Sequence, residues 1–420
     1  MSIAIIGMLD EREEALGVIK NEIEQRGFKT CLIDISIGSG GTVPSLCADV
    51  SASEVAESGQ GLDLGKEPAG TYTKDTITWY MGEGLRKKVC ALYESGELEG
   101  VIAIAGLTGT LMALQAMKML PFGFPKVLLS SATAIPAYAA SFAEYFALKD
   151  ITVMHTVVDT VGMNDLVKLL AINGANAISG MVKAAVPLNR TERPLVAITE
   201  FGLCDKGAHY IREILKKDYG IVSFHANGQG DKAAIDLVKQ GYFKAFIDLV
   251  PSAFGEYLLG GNRSAGPHRL NVAMDNPIPY VFCPGGFDII SCGPLERRDT
   301  GDPLWVSRRL SERKYHMKDG FRCEARTSVE EMELLGTAVA EKLNLYKNKE
   351  LVKVVIPRKG FSILSVEGGA LFDPVADRAF IMALRQGLDP HIVITEVDTD
   401  INNPGFAKVV VAALLEVLQV

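Results

Sequence analysis

Gly100-Val-Ile-Ala-Ile-Ala-Gly-Leu-Thr-Gly-Thr-Leu-Met-Ala-Leu-Gln-Ala-Met117 runs for 18 residues without a charge, between Glu99 and Lys118. That approaches the ~20 apolar residues a spanning helix needs. Gly106, Thr108, Gly109 and Gln115 interrupt it, however, and a buried strand over 101–105, a glycine turn and a helix over 111–119 account for it better. No membrane segment is expected. A continuous Val/Ile/Ala strand leading into a helix is the signature of a parallel sheet covered on both faces.

Working outward, the same unit recurs. Upstream lie a strand over 3–7, a helix opened by Asp10 with Glu13 three residues on in a capping-box arrangement, a stop at Gly27 and a buried strand over 30–35. Residues 36–74 are rich in Gly, Ser and acid and read as an insertion or long loop, and 75–95 as a helix. Downstream come strands over 126–130 and 151–158, the latter expected to be buried, and a helix from Asn164 to about Val186. Its Gly174, Ala175, Ala177, Gly180 and Ala184 predict close contact with a second domain or subunit.

Residues 189–194 read as a linker, because the pattern then restarts. Strands over 195–199, 220–225, 245–250, 279–283, 351–356 and 392–397 alternate with helices, among them one opened by Thr327 and Glu330. The fold expected is α/β: two doubly wound, mainly parallel-sheet domains, 1–188 and 189–420, related by a degenerate duplication.

Composition excludes several classes. The 43 basic and 51 acidic residues leave a net charge of −8, a poor match for nucleic acid. Seven cysteines without a CxxC pair exclude zinc ribbons and thioredoxin-like redox motifs. The odd count and the lack of a signal peptide point to a reducing cytoplasm. Six scattered histidines form no HExxH pair.

In such sheets ligands bind beyond the carboxyl ends of the strands. In the first half those ends supply Gly7 and Asp10, Asp34, Gly106, Thr108, Gly109 and Thr110, Ser130, Ser131 and Thr133, and Asp159 to Asn164. The turn over 106–110 leaves a strand and opens a helix, so its N–H groups and the helix dipole would face an anion. Tight strand–helix packing explains the glycines equally well, and N-capping accounts for the hydroxyls and for Asp10. In the second half Arg263, in the loop Gly260-Gly-Asn-Arg-Ser-Ala-Gly266, offers a fork for carboxylate or phosphate, with His225 and His268 as further candidates.

Ile5-Ile-Gly-Met-Leu-Asp10, Val157-Val-Asp-Thr-Val-Gly-Met-Asn164, Phe224-His-Ala-Asn-Gly228, Leu258-Leu-Gly-Gly261, Phe372-Asp-Pro374 and Glu396-Val-Asp398, in that order, resemble a largely uncharacterised bacterial and plant family, over the whole chain. Its best-known member is the amino-terminal, ATP-binding domain of a tomato tobamovirus-resistance protein. The resemblance implies two Rossmann-like domains, ATP at the strand ends of the first, and a TIM-barrel partner, fused in the plant and separate in bacteria. The family's Gly-Gly-Ser-Gly-Gly-Thr loop stands here as Ala105-Gly-Leu-Thr-Gly-Thr110, and its Asp-Thr-Lys-Gly turn as Asp10-Glu-Arg-Glu13.

Residues 105–117 contain no cation, and Asp10, Glu11 and Glu13 lie at a neighbouring strand end, so an ATP triphosphate at 106–110 would require Mg²⁺. The leading expectation is a cytoplasmic, homo-oligomeric nucleotide-binding protein acting with a barrel partner. The alternatives are an enzyme for a small anionic metabolite in an interdomain cleft, and a non-catalytic interaction protein.

Overall fold

The chain folds into two units, Met1–Asn189 and Arg190–Val420. The computed structural model describes residues 1–41, 43–60, 72–185, 193–272, 274 and 277–419. Most of the expected linker, 189–192, and part of the 36–74 insertion lie outside these residues.

In the first unit the apolar runs become β1 (Ser2–Gly7), β2 (Thr30–Asp34), β3 (Leu98–Ala105), β4 (Lys126–Ser130) and β5 (Thr152–His155). Between them lie α1 (Leu9–Gln25), α2 (Ala52–Gln60), α3 (Lys74–Glu94), α4 (Leu107–Met117), α5 (Pro136–Leu148) and α6 (Asp165–Lys183). The strands pair in parallel in the order β2-β1-β3-β4-β5. Successive side chains point to opposite faces, so Ala4, Ile6, Val101 and Ala103 enter one core and Ile3, Ile5, Ile102 and Ile104 the other. That is why β1 and β3 read as unbroken apolar runs. By contrast β5 is half exposed, against the expectation of a buried strand, because it is an edge strand with one neighbour.

The small-residue helix α6 packs on its own sheet. A Cβ on Gly174 would stand 2.7 Å from Leu129, and one on Gly100 would stand 2.7 Å from Val182. Gly180, expected at a domain or subunit contact, has nothing within 4 Å of a Cβ built on it among the described residues.

The second unit comprises β6 (Leu195–Glu200), α7 (Asp205–Leu215), β7 (Gly220–His225), α8 (Gln229–Lys239), β8 (Ala245–Asp248), α9 (Ser252–Leu259), β9 (Tyr280–Phe282), β10 (Ile289–Ser291), α10 (Pro303–Ser307), β11 (Tyr315–Met317), β12 (Cys323–Arg326), α11 (Val329–Asn344), β13 (Val352–Pro357), α12 (Pro374–Gly387), β14 (Val393–Val397) and α13 (Pro404–Val417). Its parallel sheet runs β7-β6-β8-β9-β13-β14. Numbered within each parallel sheet, the order is 2-1-3-4-5 in the first and 2-1-3-4-5-6 in the second, the repetition expected of a duplicated α/β unit. The antiparallel sheet β10-β12-β11 is an addition that the sequence reading missed. Strands of three and four residues are too short to show periodicity.

No described helix is long and apolar enough to cross a membrane. All seven cysteines are free.

Candidate functional site

Strand order reverses at β1, so the crevice of the first sheet lies beyond the carboxyl ends of β1 and β3. The turn from β1 into α1 is held from outside. Met8 is the N-cap residue and supplies no side-chain bond. Instead Asp34, at the end of β2, accepts the Leu9 N–H at 3.1 Å, and the Ser36 hydroxyl accepts that of Asp10 at 3.1 Å. The Asp10–Glu13 capping box expected from the sequence does not form. Asp10 accepts the Gly40 N–H at 3.1 Å, and Glu13 accepts the Ser45 N–H at 2.7 Å, the Ser45 hydroxyl at 2.6 Å and the Leu46 N–H. The Ser45 hydroxyl foremost, then the Leu46 N–H, holds the Glu13 carboxyl below its ordinary pKa. Both acids therefore fasten the loop after β2 to α1.

This releases Arg12. α1 departs from helical dihedrals there (φ −132°, ψ 26°), and the side chain is only 4 % exposed. Its Nε donates to Thr160 Oγ1 at 2.9 Å and its Nη2 to Asp159 at 3.0 Å, while Nη1 meets Glu11. A Cβ on Gly106 would stand 2.8 Å from Nη2. The cation absent from residues 105–117 is thus supplied from elsewhere: the Arg12 guanidinium comes from the first turn of α1, beyond the neighbouring strand β1, and lies against the glycine turn. A cleft of about 380 Å³ adjoins it, lined by residues 9–15, Gly40 and residues 160–162.

Gly106 is the N-cap of α4, which begins at Leu107 rather than near 111, so Thr108 and Gly109 belong to its first turn. Among the described residues no side chain caps that end, which leaves its N–H groups for water or a ligand. The other candidates fall into different places. Gly7 packs against Leu16, where a Cβ would stand 2.7 Å away, and a Cβ on Gly109 would stand 3.0 Å from that of Ala105. Thr110 and Ser130 are fully buried and share a 2.7 Å hydrogen bond, and Ser130 also accepts the Ala132 N–H at 3.0 Å. Together they tie α4 to β4. Thr108, Ser131 and Thr133 are half-buried. Asn164 caps α6 by accepting the N–H groups of Leu166 and Val167. The structure therefore brings Arg12, Gly106, Asp159 and Thr160 together, with Asp10 on the adjoining cleft.

In the second unit Asp248, at the end of β8, anchors a buried network. Arg269 binds it through both Nη atoms (2.7 and 2.6 Å), Thr199 and Tyr280 donate to it at 2.7 and 2.6 Å, and Arg269 Nε reaches Asp231. Arg263 sits between two carboxyls, 2.7 Å from Glu324 and 3.4 Å from Glu256. His225 and His268 are exposed, facing Glu200 O at 3.3 Å and the Asn271 amide at 3.2 Å, and neither is hydrogen-bonded to Arg263. Among the described residues no group of three or more His, Cys, Asp or Glu side chains could hold a metal ion.

Fold and strand order define a two-domain α/β protein with a strand-order switch point in each parallel sheet. Residues 1–187 and 193–418 match the N- and C-terminal domains of the uncharacterised protein family UPF0261. The chain belongs to that family. It is 31 % identical to a UPF0261 protein of Clostridium tetani over 99 % of both chains, and 28 % identical to one of Rhizobium meliloti over 99 % of this chain and 98 % of that one. It is 26 % identical to the ToMV resistance protein Tm-1(GCR237) of Solanum lycopersicum, over 93 % of this chain and 51 % of the tomato protein.

Proposed function

We propose that the first domain binds a nucleotide, ATP in the first instance, with its phosphates at the uncapped N-terminus of α4. The observation that carries this reading is Arg12, a buried guanidinium laid against Gly106 at the switch point. A helix N-terminus offers only about half a unit of positive charge. A guanidinium adds a full charge and a planar fork suited to phosphate.

Arg12 is at present matched by Glu11 and by Asp159, whose side chain is largely exposed. A phosphate would take the place of Asp159 on the guanidinium. Because Glu11, Asp10 and Glu13 remain nearby, Mg²⁺ accompanies the triphosphate in this proposal. The TIM-barrel partner and the homo-oligomer remain part of it; the tomato relative is about twice as long as the stretch it shares with this chain, which leaves room for a fused partner domain there.

Isothermal titration with ATP is expected to show binding in Mg²⁺ that is largely lost in EDTA, and a loss of about tenfold or more in Arg12→Gln. An Arg12→Gln variant that is folded and binds as tightly as wild type, or a wild type that binds no nucleotide, removes ATP from this crevice. Gly109→Val would not serve, because its Cβ meets Ala105 and the variant would report packing.

A further inference from the structure

The second sheet has its own switch point, at β6 between β7 and β8, and the groups around it are left with unused hydrogen-bonding capacity. Beyond β6 lie Phe201 and Gly202. Beyond β8, α9 begins at Ser252 with no side-chain cap. Ser252 is 1 % exposed, and its hydroxyl has no hydrogen-bond partner among the described residues. Gly286, at φ +75°, joins the two ends: a Cβ there would stand 2.9 Å from that of Ser252 and 3.1 Å from the Phe201 ring.

Two cations flank the Phe201–Gly202 turn beyond β6. The Arg263 guanidinium lies 5.3 Å from the centroid of the Phe201 ring. Its Nε and Nη2 serve Glu256 and Glu324, and Nη1 has no partner among the described residues. Lys318, on the turn between β11 and β12, is exposed, and its ammonium makes no ion pair or hydrogen bond among the described residues. Its Nζ lies 3.4 Å from where a Cβ on Gly202 would stand, with an Asp205 carboxylate oxygen 3.8 Å from that same point.

We propose that Lys318 and the free edge of Arg263, with the N-terminus of α9 and the Ser252 hydroxyl, seat the anionic group of a small metabolite, a phosphate or a carboxylate. A buried hydroxyl without a partner is destabilising, and a ligand oxygen would satisfy it. A Cβ at 286 would press on Ser252 and the Phe201 ring, and one at 202 would meet the Lys318 ammonium. The carboxyls behind Arg263 oppose an anion only in part. Burial pushes Glu256 up to about 7 and raises Glu324 as well, which lessens their opposition to an anion.

The full chain is titrated with inorganic phosphate and with malonate. Wild type is expected to bind at least one in the millimolar range, and the tighter of the two names the group recognised. Lys318→Gln, at an exposed position, is expected to weaken that binding about tenfold. Ser252→Ala is expected to weaken it without lowering the melting temperature, since the hydroxyl makes no hydrogen bond among the described residues. Arg12→Gln, in the other domain, is expected to leave it unchanged, which separates this seat from the nucleotide crevice. Binding of neither anion, or unchanged affinity in either Lys318→Gln or Ser252→Ala, overturns the proposal.

Discussion

Arg12 shows how a side chain's role can be hidden by its neighbours. In the run Asp10-Glu-Arg-Glu-Glu14 it reads as one charge on a solvated helix start, yet the acids around it bind a loop and the guanidinium turns inward. Glu256 is a second such residue, sitting in an apolar stretch of α9 that gives no hint of its partners. Both its oxygens lie within 3.2 Å of the Ser291 N–H, and Arg263 faces it. Burial raises its pKa to about 7 despite that arginine, and burial likewise raises Asp377, beside Arg326, to about 7. A carboxyl with a raised pKa binds its proton more tightly in the folded state. The stability it contributes is therefore present below the unfolded value near 4.5 and is lost as pH rises through about 7. Denaturant midpoints are expected to fall between about pH 5 and pH 7, and Glu256→Gln to flatten part of that fall, with Asp377 contributing a further part. A midpoint that rises over this window in wild type, or an identical slope in the variant, shows that Glu256 is ionised throughout.

At the scale of elements, the glycines of α6 separate by depth. Gly174 sits where the helix crosses Leu129 and Ile102, and Gly180 faces open space. Gly174→Leu is expected to cost ~1–3 kcal/mol by overpacking, whereas Gly180→Ala is expected to gain up to about 1 kcal/mol through helix propensity. Equal effects of the two in chemical denaturation would mean that the helix does not lie on the sheet in this way. The sequence identified these residues as small but not which of them was covered, because helical spacing ranks faces only when a large apolar stripe opposes a polar one. Helix starts were legible to within a few residues. The capping box of α11 is Ser328 with Glu331, one residue beyond the expected Thr327–Glu330 pair. At α1 the expected box is replaced by bonds from Asp34 and Ser36, 25 or more residues away, and no local pattern encodes those.

At the scale of the whole molecule, the buried apolar clusters segregate by unit: two lie wholly within the first 189 residues and two wholly beyond Leu195. Each unit thus buries its own core. Fragments 1–188 and 193–420 are each expected to melt cooperatively with parallel-sheet α/β circular dichroism, and a fragment without a cooperative transition would show that its core is incomplete alone. The repeated 2-1-3-4-5 order was foreshadowed by the restart of the strand–helix pattern after residue 194, since alternation and period are local properties that a chain carries in its own composition. Apolar runs, glycine stops and their order therefore determined the fold class, the restart after 194 and the position of strand ends. What only the tertiary structure decided is which side chains meet at those ends: Arg12 on Gly106, Thr110 on Ser130, and Lys318 over Gly202 beside a Phe201 that faces Arg263. Those pairs stand 20 to 116 residues apart in sequence, and their meeting depends on strand order and register, which no local periodicity specifies.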